Sequence, residues 1–468
     1  MTSDPKKSHS AMDVEQELYQ KRQKIYAREV HGLFATMRVL AMAGLMGIYY
    51  ILPWIQWNGR QAVLLDLPAR KFYFFGTTIW PQDFILVALL LMIAAWSLFF
   101  FTNLAGRLWC GYACPQTVWT EVFMWFERKI EGDRPKQMKL DKMGWGVEKI
   151  LRKGGKHLAW IAVAFWTGFT FVGWFSPIAD LAERMISIQL GPWETFWILF
   201  YGFATWGNAG FLREQVCIYM CPYARFQSAM FDTDTLIISY DEQRGEPRGT
   251  RRKDEDYKAA GKGDCIDCTI CVQVCPVGID IRDGLQYQCI ACAACIDACD
   301  DVMEKMGYPK GLVRYTTENA LEGKPSRVLR PRSIMYGVVL VAFIVGFLFV
   351  ALNRVPLELN IIRDRVALFT EADNGDILNT YNLKIMNMAE EAYTYRLSLA
   401  SEDIAEFHSG GLEVRLATGE VAEVPFQIAA APDQIRKRSN EVMFILEAIE
   451  NPEVRIEQSG RFLGPVFR

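Results

Sequence analysis

All twelve cysteines of this 468-residue chain fall into four short groups. Two are runs: Cys265-x2-Cys268-x2-Cys271-x3-Cys275, followed by Pro276, and Cys289-x2-Cys292-x2-Cys295-x3-Cys299. Two are pairs: Cys110-x3-Cys114, followed by Pro115, and Cys217-x3-Cys221, followed by Pro222. Shared ligation constrains every loop between the sulfurs. A C-x2-C-x2-C-x3-C run wraps three corners of a 4Fe–4S cube and sends its fourth sulfur to a neighbouring cube. We therefore expect one cluster on Cys265, Cys268, Cys271 and Cys299, and another on Cys289, Cys292, Cys295 and Cys275. Zinc is the rival, but zinc cysteines usually come as two separated CxxC pairs. The spacings also argue against a secreted disulfide scaffold.

Composition adds a membrane: 51% of residues are apolar and 13% aromatic. Five stretches approach the ~20 apolar residues that a bilayer span needs: Leu33–Trp54, Phe84–Thr102, Leu158–Ser176, Trp193–Leu212 and Ile334–Leu352. Tyr49, Tyr50, Trp54, Trp80, Trp174 and Trp193 sit near their ends as interfacial anchors do. The first is no cleavable signal, because a long polar segment precedes it. Basic residues set the orientation. Lys6, Lys7, Lys21, Arg22, Lys24 and Arg28 precede the first stretch, and the loop between the second and third is rich in Lys and Arg. Both should be cytoplasmic, together with the cysteine runs, and an odd number of spans places the tail outside.

The expected fold class is a multidomain membrane protein. An N-terminal cytoplasmic segment (1–32) leads into a four-helix membrane domain (33–212) with a basic cytoplasmic loop (103–157). A cytoplasmic segment (213–332) follows, containing a bacterial-type two-cluster ferredoxin at about 258–305. A fifth membrane helix (333–353) leads to a periplasmic, all-β immunoglobulin-like sandwich (356–468). In that tail, alternating strands are expected at Tyr381–Ile385, Tyr393–Leu399, Leu412–Leu416, Val424–Ile428, Met443–Ala448 and Val454–Gln458.

The pairs Cys110/Cys114 and Cys217/Cys221 each follow the second helix of a hairpin, which suggests an internal duplication. On a helix, positions i and i+4 share a face, so both sulfurs of a pair would point the same way. Proline disfavours helix at Cys114 and Cys221. Val118–Ile130 reads as an amphipathic helix along the interface. A single such pair would read as buried structural cysteine. Two copies beside a ferredoxin read as a redox or metal site. Soft thiolates suit Cu(I), zinc or an iron–sulfur cluster, so a copper ion, a third cluster and two thiol–disulfide couples all stay open.

The four histidines, His9, His31, His157 and His408, lie outside the interiors of the spans, and no CxxCH, GxGxxG or P-loop stands out. His31 and His157 lie near the cytoplasmic ends of helices, where solvated interfacial roles are expected. In the tail, Met386, Met388 and His408 read as packing residues before they read as copper ligands.

With these residues in hand, the chain resembles the cytochrome c oxidase accessory proteins called CcoG, FixG or RdxA. The resemblance rests on the five apolar stretches, both CxxxCP motifs, the tandem cysteine runs, Tyr240-Asp-Glu-Gln-Arg-Gly-Glu-Pro-Arg-Gly249 and Cys275-Pro-Val-Gly-Ile-Asp-Ile-Arg-Asp-Gly-Leu-Gln286. It implies a polyferredoxin of the bacterial inner membrane that reduces Cu(II) to Cu(I) during assembly of a cbb-type oxidase. It further implies two 4Fe–4S clusters on the eight ferredoxin cysteines, and copper chaperones, a copper-exporting ATPase and oxidase assembly factors as partners. The catalytic and metal-binding candidates are Cys110, Cys114, Cys217 and Cys221. Lipid is an expected neighbour, nucleic acid is not, and a homo-oligomer stays open. Two other readings remain: a general electron conduit from quinol or a cytoplasmic donor to a respiratory partner, and a redox-sensing assembly scaffold.

Overall fold

The computed structural model describes residues 24–252, 255–364, 367–401, 404, 406–435 and 437–465. Lys6, Lys7, His9, Lys21 and Arg22 lie outside the described residues. Among the helices, in chain order, are α1 (Leu33–Ile51), α2 (Phe84–Ala105), α3 (Leu108–Tyr112), α4 (Pro115–Glu131), α5 (Arg134–Lys142), α6 (Val147–Gly173), α7 (Ile178–Ile186), α8 (Pro192–Thr205), α9 (Pro222–Ala229), α10 (Ile270–Gln273), α11 (Ala294–Met306) and α12 (Pro331–Leu352). The chain divides into two compact units.

Among the described residues, three helices are long and apolar enough to cross a membrane: Leu33–Trp54, Pro81–Ala105 and Pro331–Leu352. Their side chains are largely exposed, as with Leu40, Leu91 and Phe349, which suits a lipid surround. Three of the five expected stretches meet this description. The stretch at Leu158–Ser176 falls largely in α6, whose first half carries Lys149, Arg152, Lys153 and Lys156. The stretch at Trp193–Leu212 is split between the 14-residue α8 and a π-helical segment, Trp206–Leu212.

The first unit (Met1–Ile51, Ala95–Val172 and Ile188–Leu340) holds every cysteine. The amides that open α1 point at Asp297 on α11, whose Oδ1 accepts from Phe34 N at 3.2 Å and Oδ2 from Ala35 N at 2.7 Å. A carboxylate is well placed at the positive end of a helix. Gly32 makes the approach possible, because a Cβ there would lie 2.3 Å from Asp297 Cγ. Helix α4 begins on a proline at its first turn, where no amide hydrogen is needed, and packs on α6. The rings of Phe123 and Trp160 stack at 5.3 Å, and Trp160 Nε1 donates to Phe123 O at 2.9 Å. Helices α6 and α8 meet through glycine: a Cβ on Gly168 would stand 2.2 Å from Ile198 O.

The charged face of α4 is not turned to water as an interfacial helix would require. Glu127 is 2% exposed and Glu131 fully buried. Glu131 pairs with Lys153 and Lys156, each at 2.9 Å. Glu127 pairs with Arg213 at 2.8 Å and Lys156 at 3.5 Å. Asp141 of α5 takes Lys153 at 2.6 Å and Lys24 at 2.8 Å, and accepts from Tyr26 Oη at 2.6 Å. The network thus ties α4, α5, α6, the segment before α1 and the turn after α8. Although burial opposes it, the hydrogen bonds from Lys153, Lys24 and Tyr26 hold the Asp141 carboxyl well below the usual range.

The second unit comprises Leu52–Ala94, Gly173–Ser187 and Val341–Arg468. It contains a small antiparallel sheet of β1 (Val63–Asp66), β2 (Lys71–Phe74) and β3 (Thr77–Ile79). The first unit contributes the antiparallel pair β4 (Ile237–Tyr240) and β5 (Val313–Thr316), which flanks the cysteine runs. The tail then forms β6 (Leu357–Arg363), β7 (Thr370–Glu371), β8 (Ile377–Asn387), β9 (Tyr393–Ala400), β10 (Leu412–Leu416), β11 (Val421–Ala430), β12 (Ser439–Ala448) and β13 (Arg455–Leu463). One sheet runs β11-β8-β6 with β7 also on β8, and the other runs β10-β9-β12-β13. Alternate residues of both sheets, among them Tyr381, Leu383, Tyr395, Ile428, Phe444 and Phe462, fill the core between them. All six expected strands lie in observed ones, except that Val454 precedes β13, while β6 and β7 were not expected. Met388 is buried, and His408 pairs its backbone with Ala429.

Replacing Glu131 by Gln leaves two lysines short of a buried counter-charge, which should cost about 3 kcal/mol. Thermal unfolding in detergent should show a clear drop, and an unchanged midpoint would refute this account of the network. Because the Asp141 carboxyl is depressed in the folded chain, its contribution is complete above the ordinary carboxylate range, about pH 4, and fades as pH falls below it.

Candidate metal centres

The two cysteine runs fold into matching loops. In each, the second and fourth residues after the first cysteine are left-handed without being glycine: Asp267 (φ 54°) and Thr269 (φ 57°), then Ala291 (φ 54°) and Ala293 (φ 61°). Such conformations cost roughly 1–3 kcal/mol each and persist where the surroundings impose them. Here they curl the backbone around two adjacent cavities. One, of about 380 Å³, is lined by Cys265, Cys268, Cys271 and Cys299. The other, of about 340 Å³, is lined by Cys275, Cys289, Cys292 and Cys295, with Cys271 bordering it as well. The fourth cysteine of each run thus faces the cavity of the other run. Pro276 follows the short α10, whereas the second run lacks a proline and α11 continues past Cys299 to Met306.

Each cavity offers four sulfurs inside an aliphatic shell, including Ile238, Ile279 and Ile281 around one and Val302, Met303 and Leu312 around the other. Burial pushes Cys271 and Cys289 up to about 11, and Cys275 and Cys299 up to about 12. Thiolates in such surroundings need a cation, and metal binding is what removes the proton. Sulfur count and low polarity fit a 4Fe–4S cube in each cavity.

The CxxxCP pairs take a shape that helical periodicity does not describe. Cys110 lies in α3, which ends at Tyr112, and Cys114 caps α4 with extended backbone (φ −62°, ψ 128°). Cys217 lies in a second π-helical segment, Val216–Met220, and Cys221 caps α9 (φ −82°, ψ 108°). The prolines enforce the break, so neither pair sits on one continuous helix face. The two motifs brace each other instead. Gln116, two residues after Cys114, donates to Asn208 O at 3.0 Å and Arg213 O at 3.1 Å, just before the second motif. Tyr223, two residues after Cys221, shares a 2.7 Å hydrogen bond with Thr102, just before the first. Cys110 Sγ donates to the buried Gln227 Oε1 of α9 at 3.2 Å. The sulfurs sense one another: Cys114, Cys217 and Cys221 all disfavour the thiolate of Cys110, after burial, which pushes it up to about 12. Cys217 is raised to about 11, again chiefly by burial.

The first motif also rests on the second cluster loop. Gly111 is buried, and a Cβ there would come within 2.8 Å of both Ile290 O and Ala291 O. Tyr315 Oη donates to Ala291 O at 2.7 Å. Arg107, only 4% exposed, donates to the carbonyls of Tyr287, Cys289 and Ala224. A further cavity, of about 650 Å³, has Cys217 and Cys292 in its wall, with Met42, Met124, Arg38 and Glu121. Sequence reasoning missed Arg107, Gly111 and Gln227; the one visible signal was an arginine three or four residues ahead of each CxxxCP. His157 packs on Trp160 and Phe211, and His31 borders a separate cavity beside Arg38.

Crossed ligation is testable by spectroscopy. Cys299→Ser should perturb the cluster of the Cys265 run, and Cys275→Ser that of the Cys289 run, as read from electron paramagnetic resonance and iron content. Loss of the signal belonging to the variant's own run would exclude the crossed arrangement. Gly111→Val should deplete the Cys289-run cluster and spare the other; equal loss of both would point to general misfolding.

Comparison with known proteins matches this geometry. Residues 212–318 match a family described as a 4Fe-4S dicluster domain, residues 84–132 a 4Fe-4S binding domain, and residues 347–465 the IG-like fold at the C-terminus of FixG. The nitrogen fixation protein FixG of Rhizobium meliloti is 40% identical over 455 residues, covering 89% of this chain and 86% of that protein. Protein RdxA of Cereibacter sphaeroides is 40% identical over 432 residues, covering 88% and 90%. The ferredoxin-type protein NapH of Haemophilus influenzae is 22% identical over 229 residues, covering 47% and 68%. Identity at this level along nearly the whole length, with iron–sulfur domains and the FixG tail in register, means that the chain belongs to the FixG/CcoG/RdxA family of membrane iron–sulfur proteins.

Proposed function

We propose that the protein reduces Cu(II) to Cu(I) at the cytoplasmic face of the bacterial inner membrane, for assembly of a cbb-type cytochrome c oxidase. The observation that carries this reading is the shared wall between the two kinds of sulfur site: Gly111 lies on the Ile290–Ala291 backbone, and Cys217 and Cys292 border one cavity. Cys265, Cys268, Cys271 and Cys299 would hold one 4Fe–4S cluster, and Cys289, Cys292, Cys295 and Cys275 the other. When bound, these clusters supply single electrons.

The remaining chemistry belongs to the chain. Cys110, Cys114, Cys217 and Cys221 bind the copper substrate through sulfur, and soft ligands favour Cu(I) over Cu(II). Met42 and Met124 add thioether sulfur in the adjoining cavity. Because burial keeps Cys110 and Cys217 protonated in the metal-free chain, copper must displace their protons, and capture should tighten as pH rises. A third cluster at these four sulfurs is the competing occupant.

Three spans or five give the same sidedness: an N-terminus and cysteine runs in the cytoplasm, and the sandwich in the periplasm. Copper chaperones, a copper-exporting ATPase and oxidase assembly factors are the partners that this role calls for. The partial likeness to NapH supports a second reading, a general electron conduit without preference for copper.

The deciding experiment is anaerobic: the reduced, detergent-purified protein is mixed with Cu(II), and Cu(I) is trapped by a colorimetric chelator. A variant with Ser at Cys110, Cys114, Cys217 and Cys221, at matched cluster content, should lose at least about tenfold in rate, or ~1.4 kcal/mol in barrier. Equal rates would transfer support to the conduit.

A further inference from the structure

Arg107 is a buried cation without a carboxylate partner among the described residues. Its guanidinium meets only carbonyl oxygens: Nη1 those of Tyr287 and Cys289, and Nη2 that of Ala224. Its Nε is buried and has no hydrogen-bond partner. An isolated buried charge is costly, and ordinary stabilisation would have supplied an acid, as it does for Arg213 through Glu127. The three carbonyls lie in key places: on α9 after the second CxxxCP motif, just before the second cysteine run, and on its first ligand. Arg107 itself lies three residues before Cys110.

We propose that Arg107 is a positioning residue that serves as the shared counter-ion of the two sulfur sites, its charge balanced by thiolate and cluster charge on either side. An electron reaching the Cys289-run site adds negative charge beside a fixed cation in a low-dielectric setting, which favours the reduced state. The other cluster site has an arginine of its own, Arg282 beside Cys271, but that one is paired with Asp267 at 2.5 Å and Asp280 at 2.6 Å, so its charge is already balanced by acids. The arginine therefore makes the two cavities unequal: the cluster next to the CxxxCP motifs is the better electron acceptor, and electrons gather at the end where those thiols lie. The inference rests on the iron–sulfur reading of the chain and does not require that the substrate be copper.

The test is a redox titration of the full-length protein, followed by electron paramagnetic resonance, on wild type, Arg107→Gln and Arg107→Lys at matched iron content. Cys299→Ser and Cys275→Ser assign the two signals. In Arg107→Gln, the Cys289-run cluster should be at least about tenfold less reduced at a fixed potential, a ~59 mV downward shift for one electron. The other cluster should stay within twofold of wild type. Arg107→Lys keeps the charge but loses the fork, and it should hold the wild-type order of potentials.

Unchanged potentials in Arg107→Gln would overturn the proposal. So would a lysine variant whose potentials shift as far as those of the glutamine variant, since the arginine's role would then be structural. If Arg107→Gln fails to assemble, Arg107→Lys alone decides, by whether the Cys289-run cluster stays the higher-potential one. Copper capture is scored separately, so failure here leaves the copper reading standing, and failure of the copper reading leaves this one intact.

Discussion

A thiolate withdrawn from water is stable only beside a cation, and this chain withdraws its sulfurs wholly or partly from water. Removal from water holds thiols such as Cys275, Cys299 and Cys110 protonated and uncharged until metal arrives. The surrounding architecture follows from that requirement. Left-handed backbone at matching positions curls each cysteine run around its cavity. The β4–β5 pair and α11 close the cavities with aliphatic side chains. The Asp297 carboxylate on α11 holds the first turn of α1, so the mouth of a membrane-length helix is fixed to the cluster domain.

The rest of the first unit serves rigidity at the other sulfur site. The charges buried between α4, α5 and α6 lock the helix that starts at Cys114 against the helices beneath it, and Arg213 carries the network to within four residues of Cys217. Such networks add little net stability compared with an apolar core, but a broken one is expensive. They therefore penalise alternative packings, which suits a site whose sulfurs come from segments more than 100 residues apart.

What could be read from the sequence followed the range of each signal. Cysteine spacing is local, so the two cavities and their crossed sulfurs were legible before any coordinates. Strand alternation is also local, and six strands of the sandwich were legible; the short β7, Thr370–Glu371, has too few residues to alternate. Charge and apolarity share one helix in α6, whose basic first half enters the buried network, so hydropathy alone describes only its second half. Helical periodicity misled at CxxxCP because the prolines end one helix and start another. Arg107, Gly111 and Gln227 were invisible for one reason: their partners lie over 100 residues away, and glycine, glutamine and arginine have many other uses in a chain.

The cross-bracing of the CxxxCP motifs makes the two pairs mechanically dependent. Each motif extends a side chain, from the same offset past its proline, to the segment ahead of the other motif. A motif that leans on its counterpart in this way is incomplete alone. The brace is reciprocal, but the surroundings of the two motifs are not: one holds Arg107 and rests on the cluster loop through Gly111, while the other borders the cavity through Cys217. Reciprocal support with unequal neighbours gives the pair of motifs a direction.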